Sequence, residues 1–121
     1  SALSDAATKR IAALSGKNWT ANRAKLIEKI KTGDTDSPIS PDWLMLQIHE
    51  ALPENGIVVN EGVTASRYLN DIHPYRERHD FHGLASGGIG WGIAAAVGVQ
   101  LAHPDRTVCA IIGDGSSMYS I

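Results

Sequence analysis

Residues 108–117 read VCAIIGDGSS, a short apolar run that ends abruptly in glycine, aspartate and serine. Such a run is typical of a buried parallel strand. A second one, Ile57-Val58-Val59, follows the turn residues Asn55-Gly56. Helical patterns follow, one through Asn70 and an Ala/Gly-rich one over 90–102. This order predicts an α/β fold, a parallel sheet with helices on both faces, in which only these two strands are evident.

The segment before the first strand has a different organisation. Residues 5–31 have a helical pattern that is broken or kinked near Gly16, and residues 31–38, KTGDTDSP, have the polar, turn-rich composition of a linker. Ser40-Pro41 predicts the start of another helix, and Pro53 its end. The stretch from His73 to His82 is predicted to be a loop.

Length and composition exclude several classes of protein. The chain has 121 residues, 43% of them hydrophobic and 20% charged, which is typical of a single globular domain. No apolar run approaches the ~18–20 residues that span a bilayer, and no signal-peptide core opens the chain. Cys109 is the single cysteine, so it forms no internal disulfide. We expect a soluble, cytoplasmic protein without a membrane partner.

Charge is distributed unevenly along the chain. Residues 1–31 carry seven basic and two acidic side chains, whereas the remainder has a net charge of −7. Basic segments can bind nucleic acid. Here the lysines surround a helical pattern with Trp19 as the single aromatic residue, so we favour a solvated helix and no nucleic-acid partner.

The turn after the second strand has the chemistry of a metal and phosphate site. In an open α/β sheet, ligands bind beyond the carboxyl ends of the strands. Asp114 offers carboxylate oxygens, which Mg²⁺ prefers, and Gly113 and Gly115 let the backbone approach a phosphate closely. Ser116 adds a hydroxyl at the start of a helix, whose dipole favours anions. The alternative is a plain turn in which Asp114 caps the helix.

A second glycine cluster, residues 87–92 (GGIGWG), precedes the Ala/Gly-rich helix. It does not fit the dinucleotide-binding pattern G-x-G-x-x-G, and no clear strand precedes it. Two interpretations stay open, a turn that faces a ligand and a turn that serves tight helix packing.

Four further features have weaker signals. Thr64 either caps the next helix or donates to phosphate, and capping is favoured. Glu61 is an acid/base candidate, although a solvated loop carboxylate is the commoner case. The histidines of the 73–82 loop match no metal-ligand spacing. Cys109, in a buried strand, is expected to be inert, and no G-x-S-x-G elbow indicates a hydrolase.

Taken together, NEGVTAS (60–66), GGIGWG (87–92) and GDGS (113–116), in this order, carry a resemblance. The chain resembles the diphosphate-binding domain of thiamine-diphosphate-dependent enzymes, and its ending GDGSSMYSI is most similar to benzoylformate decarboxylases and related 2-oxo acid decarboxylases. The resemblance covers residues 38–121. Residues 1–37 look like the end of a preceding middle domain and its linker.

The resemblance implies roles for individual residues. Asp114 is expected to bind Mg²⁺, and Gly115, Ser116 and Thr64 to contact the diphosphate, with Tyr119 close to it. The carbonyl of Gly87 is expected to accept from the pyrimidine amino group. Ile89 is expected to be the apolar wedge that keeps the cofactor bent.

The same resemblance implies that this chain carries only part of the site. The family's other side-chain metal ligand lies beyond Ile121, and its activating glutamate belongs to a separate N-terminal domain, a role that Glu61 does not replace. We therefore expect a homo-oligomer, a dimer or tetramer, in which other domains complete the cofactor site, and an isolated chain without activity. The predicted substrate is a small-molecule 2-oxo acid. The alternatives are a carboligase or lyase of the same superfamily and a catalytically silent structural or partner-binding fragment.

Overall fold

A computed structural model describes residues 2–33 and 37–120; residues 34–36 of the predicted linker and the terminal Ser1 and Ile121 lie outside the described residues. The elements in chain order are α1 (Ala2–Ser15), α2 (Trp19–Lys31), α3 (Pro41–Ala51), β1 (Ile57–Glu61), α4 (Ser66–Ile72), β2 (Phe81–Gly83), α5 (Gly92–Ala102), β3 (Val108–Ile112) and α6 (Asp114–Ser117). No helix within the described ranges has the length and apolar character needed to cross a membrane.

The sheet is parallel, with β1 in the centre and the order β2-β1-β3. Val59 pairs with His82 of β2 and with Ala110 of β3. The chain passes from β1 to β2 through α4, and it then crosses back over β1 to β3 through α5. Because crossover connections are right-handed, these opposite movements place the two helices on opposite faces of the sheet. The predicted α/β class, with helices on both faces, is confirmed.

The core lies between the sheet and the helices α2, α3 and α4. It consists of seven buried apolar side chains from five elements: Ile30, Met45, Leu46, Val58, Leu69, Ile72 and Ile111. Ile30 belongs to α2, so the second N-terminal helix packs on the sheet domain. In contrast, the side chains of residues 4–15 in α1 are nearly all exposed. The helical break near Gly16 is confirmed, since α1 ends at Ser15 and α2 begins at Trp19.

The expectation of two strands was wrong, because β2 forms within the segment that was predicted to be a loop. Phe81-His82-Gly83 has no β-branched residue and is mostly exposed, so the sequence carries no strand signal there. Its backbone is ordered by pairing with β1, which is a long-range interaction. Similarly, β1 extends through Asn60 and Glu61, which were expected to belong to a loop.

A buried ion pair fastens the amino ends of the three strands. Arg106, which precedes β3, places Nη2 2.6 Å from Oδ1 of Asp80, which precedes β2. The same guanidinium donates from Nε to the carbonyl of Asn55, which precedes β1, at 2.6 Å. Oδ2 of Asp80 accepts from the backbone N–H groups of Arg76 and Glu77. Burial alone raises the pKa of Asp80, but these two backbone bonds and Arg106 outweigh it and hold the pKa below its usual value.

Removing Arg106 is expected to destabilise the fold strongly. Arg106→Ala leaves the Asp80 carboxylate buried without its cation, which typically costs about 3 kcal/mol. Urea unfolding followed by circular dichroism measures the loss. Glu54→Gln is the matched control, since it breaks the exposed Arg76–Glu54 pair, and exposed pairs contribute less than about 1 kcal/mol. Equal midpoints for the two variants would contradict this role of Arg106.

A second polar network joins α2 and α3 to the end of α4. Arg23 donates from Nη2 to Nε2 of His49 at 2.8 Å, and Nδ1 of His49 lies 2.9 Å from Nδ1 of His73. Because arginine has no acceptor, Nε2 of His49 must accept, so a neutral His49 carries its proton on Nδ1 and donates to His73. Burial lowers the pKa of both histidines, with Arg23 adding to the effect at His49 and His49 at His73.

The chain is therefore expected to lose stability as the pH falls below about 6.5, the pKa of an unfolded histidine. A histidine whose pKa is lowered in the folded state stabilises the fold fully at pH values above its unfolded pKa. This stabilisation is lost as the pH falls through the lowered pKa. His73→Asn keeps an acceptor near the Nδ1 position and does not titrate. The midpoint of its thermal unfolding should therefore fall less between pH 7 and pH 5 than that of the wild type. Thermal melts at both pH values test this. His79→Asn is the control, because His79 is exposed in a loop and its φ of 73° is one that asparagine tolerates. The thermal midpoint of this variant should fall between pH 7 and pH 5 nearly as much as that of the wild type.

Candidate functional site

The candidate site lies at the carboxyl edge of the sheet, where β1 and β3 end side by side. The turns after these strands border a cavity of about 480 Å³, the first through residues 62–65 and the second through Gly113 and Ser116. Gly62, Thr64, Gly113 and Ser116 lie along its polar rim, and apolar side chains of α3 and β3 form its floor. Thus the structure brings together Thr64 and Ser116, which are separated by 52 positions in the sequence.

Asp114 is exposed at this edge. It is the first residue of α6, and its carboxylate makes no hydrogen bond to the described residues. Gly113, in extended backbone conformation, occupies the cap position, so the interpretation of Asp114 as a helix cap was wrong. The first N–H groups of a helix have no intrahelical acceptor, so those of Asp114, Gly115 and Ser116 can bind an anion. Since α6 is a single turn of four residues, these N–H groups, rather than a long helix dipole, supply the attraction.

Thr64 does not cap the next helix. Ala65 occupies the cap position of α4, and no side chain caps that helix. Thr64 is exposed, whereas Ser66 donates from Oγ to the carbonyl of Gly62 at 2.6 Å and stabilises the turn after β1. The hydroxyl of Thr64 therefore remains accessible at the rim of the cavity, and the favoured interpretation of a capping residue was wrong.

The glycine turn, residues 87–91, lies beside this cavity between β2 and α5. Gly87 and Gly90 have φ angles of 74° and 90°, which residues other than glycine rarely adopt. Apart from its two chain neighbours, the described residues place no atom within 4 Å of the position that a Cβ of Gly87 would occupy, so packing does not explain this glycine. Ile89 is 56% exposed and lines a neighbouring cavity of about 440 Å³. The turn therefore presents an apolar side chain to solvent rather than to the core.

Glu61 is a functional candidate whose environment the sequence did not indicate. It is 5% exposed, although a solvated loop carboxylate was expected. Oε1 accepts from the N–H of Gly90, and Oε2 accepts from the N–H of Gly92 at 2.5 Å. A Cβ on Gly92 would lie 2.6 Å from Oε2, so a side chain at this position would displace the carboxylate. The sequence signal was weak, an acidic residue next to a β-branched strand, and its partners lie about 30 residues away.

The segment after α6 meets the same turn. Ser120 donates from Oγ to the carbonyl of Gly90, and a Cβ on Gly90 would lie 2.5 Å from Cβ of Tyr119. The ring of Tyr119 is largely exposed. The glycine turn is therefore in direct contact with the segment that follows α6, and Tyr119 lies at this junction.

The chemistry of the donor atoms fits a magnesium-bound diphosphate only in part. Among the described residues, no group of three or more histidine, cysteine, aspartate or glutamate side chains could hold a metal. Asp114 is a single hard oxygen ligand, and Mg²⁺ is commonly bound by one or two carboxylates together with phosphate oxygens. At Gly115 a Cβ would meet no protein atom within 4 Å, which leaves space for a ligand beside the backbone.

Three neighbouring polar groups, those of Cys109, Trp91 and His82, are partly or fully buried. Burial raises the pKa of the Cys109 thiol, which disfavours the reactive thiolate and agrees with the expectation of an inert residue. The indole N–H of Trp91 and Nε2 of His82 are buried without a hydrogen-bond partner in the described part of the chain. Trp91 borders the cavity beneath the glycine turn.

Comparison with known proteins identifies the class to which this site belongs. Residues 47–121 match the family described as "Thiamine pyrophosphate enzyme, C-terminal TPP binding domain". The chain belongs to this family, whose cofactor is thiamine pyrophosphate, also called thiamine diphosphate, and whose members typically use Mg²⁺ with it.

Individual relatives agree with the family and differ in activity. The chain is 40% identical over 93 residues to a putative acetolactate synthase large subunit of Mycobacterium tuberculosis, covering 77% of this chain and 17% of that protein. It is 38% identical over 84 residues to benzoylformate decarboxylase of Pseudomonas aeruginosa, covering 69% and 16%. Its fold is similar to that of the thiamine diphosphate-dependent 4-hydroxybenzoylformate decarboxylase of Rhodococcus jostii, with a TM-score of 0.66, 36% identity and coverage of 72% and 16%.

The chain therefore spans about a sixth of the length of these relatives. The predicted resemblance to thiamine-diphosphate-dependent enzymes, including benzoylformate decarboxylase, is confirmed. Because the relatives include both decarboxylases and acetolactate synthases, the family by itself does not define the reaction.

Proposed function

We propose that the carboxyl edge of this sheet binds the diphosphate of thiamine diphosphate through Mg²⁺. The observation that carries this proposal is the exposed Asp114 carboxylate, which lies at the end of β3 on a turn that shares a cavity with Thr64. Asp114 binds the metal ion. The backbone N–H groups at Gly115 and Ser116 and the hydroxyls of Ser116 and Thr64 bind the phosphate oxygens.

The glycine turn binds the organic part of the cofactor. The carbonyl of Gly87 accepts a hydrogen bond from the pyrimidine amino group, and the exposed Ile89 side chain supports the bent conformation. Tyr119 lies between the two halves of the site, since it contacts Gly90 and follows α6. When bound, thiamine diphosphate supplies an electron sink for the pair left by departing carbon dioxide.

For the whole protein we propose a decarboxylase of 2-oxo acids similar to benzoylformate decarboxylase. We assign residues 38–121 to the first part of its diphosphate-binding domain. We assign residues 1–37 to the end of a middle domain and linker, of which α2 packs on the sheet domain through Ile30. Other domains of a homo-oligomer, a dimer or tetramer, complete the cofactor site. The similarity to acetolactate synthases supports a second candidate, a carboligase of the same superfamily.

Calorimetric titration tests the cofactor proposal. Thiamine diphosphate added in the presence of Mg²⁺ is expected to bind the wild-type chain, and Asp114→Ala is expected to weaken binding at least about tenfold, equivalent to about 1.4 kcal/mol. The reason is that Asp114 is the one carboxylate that the described part of the chain places on this turn. Asp105→Ala is the control, because this exposed aspartate lies in the turn between α5 and β3, at the amino edge of the sheet. Equal affinities for the two variants, or no binding by the wild type, would support a catalytically silent domain.

Product analysis distinguishes the two proposed reactions. The whole protein, loaded with thiamine diphosphate and Mg²⁺, is expected to convert benzoylformate and a proton into benzaldehyde and carbon dioxide. A carboligase would instead join two pyruvate molecules into acetolactate with loss of one carbon dioxide. Acetolactate from pyruvate, without benzaldehyde from benzoylformate, would favour the second candidate. The omission of Mg²⁺ should abolish either activity.

A further inference from the structure

Glu61 is buried, although none of the contacts proposed for the cofactor involves it. Glutamate is rarely buried unless it is paired, and an isolated carboxylate is costly to remove from water. Within residues 2–33 and 37–120 Glu61 has no ion-pair partner. Its partners are two backbone N–H groups, those of Gly90 and Gly92.

These two bonds occupy both oxygens of the carboxylate. Hydrogen bonds to a charged acceptor are roughly twice as strong as neutral ones. Each oxygen is held by one backbone N–H, and only 5% of the residue is exposed. The geometry is that of a group that holds backbone.

The backbone held by Glu61 belongs to the glycine turn. Residues 85–89 are exposed and make no hydrogen bonds to the rest of the described chain. The turn is therefore fixed at its two ends, by the pairing of Gly83 with Asn60 on one side and by Gly90 on the other. Gly90 is held twice, through its N–H by Glu61 and through its carbonyl by Ser120.

We propose that Glu61 is a positioning residue, which clamps Gly90 and Gly92 so that the carbonyl of Gly87 and the side chain of Ile89 are held at the cofactor site. The second half of this statement rests on the function proposed above. The clamp also links β1, through Gly90, to the segment after α6.

Amide hydrogen exchange measured by NMR on the whole chain tests the clamp directly. Glu61→Gln keeps the size of the side chain but replaces one acceptor with an NH₂ donor. We expect at least one of the amides of Gly90 and Gly92 to exchange at least about tenfold faster, because one of the two acceptors becomes a donor and its hydrogen bond is lost. The amides of Val58 and Val59 should exchange as in the wild type. Glu61→Asp keeps the charge but is one methylene shorter, so it should restore protection at one of the two glycines at most.

Glu77→Gln is the matched control, since Glu77 is exposed in the loop before β2. It should leave the exchange of both glycine amides unchanged. Unchanged exchange in Glu61→Gln would overturn the proposal. Acceleration spread equally over β1 and α5 would also overturn it, because Glu61 would then support global stability instead of the turn.

Ligand binding tests the consequence for the cofactor. With Mg²⁺ present, Glu61→Gln is expected to bind thiamine diphosphate about tenfold more weakly. It is expected to bind inorganic diphosphate as the wild type does, because the diphosphate contacts lie on the Asp114 turn and at Thr64, and the Glu61 carboxylate bonds to neither. If Glu61→Gln weakens the binding of thiamine diphosphate and of inorganic diphosphate equally, the proposal that Glu61 positions Gly87 and Ile89 is overturned. If the wild-type chain binds neither ligand, the proposed function fails, whereas the exchange experiment still decides whether Glu61 clamps the turn.

Discussion

The charge contact between Arg106 and Asp80 supports the parallel pairing of β1 with both neighbouring strands. This pair and the bond from Arg106 to the carbonyl of Asn55 join the residues that precede all three strands. Fixing these ends fixes the register. Because side chains alternate along a strand, a slip of one residue would turn the whole strand over. The positions of the side chains at the opposite, carboxyl edge therefore depend on this contact.

The register places Val58 and Glu61 of β1 on opposite faces of the sheet. Val58 faces the core formed with α2, α3 and α4, whereas Glu61, three positions later, faces the start of α5. A carboxylate on the first face would lie among apolar side chains. On the second face it meets two backbone N–H groups, which compensate for its burial. One strand thus supports both the core and the glycine turn.

Sequence reasoning was most successful where the signal is local. The β-branched run at 57–59 and the apolar run at 108–112 predicted strands, and the turn after the second of them suggested a phosphate site, because apolar strands and glycine turns have short-range signatures. It failed at Phe81-His82-Gly83, whose strand conformation comes from pairing with β1. It also failed for the environment of Glu61, because burial depends on residues about 30 positions away.

The sequence by itself determined the α/β class, the strand–turn motifs and, through the order of those motifs, the resemblance to thiamine-diphosphate-dependent enzymes that comparison confirmed. Only the tertiary structure decided that Thr64 meets Ser116 at one cavity and that Gly90 lies between Glu61 and Ser120. The physical reason is that strand propensity and turn chemistry act over a few residues. Parallel strands, in contrast, pair only across long crossovers, so the meeting of their ends follows from the packed sheet.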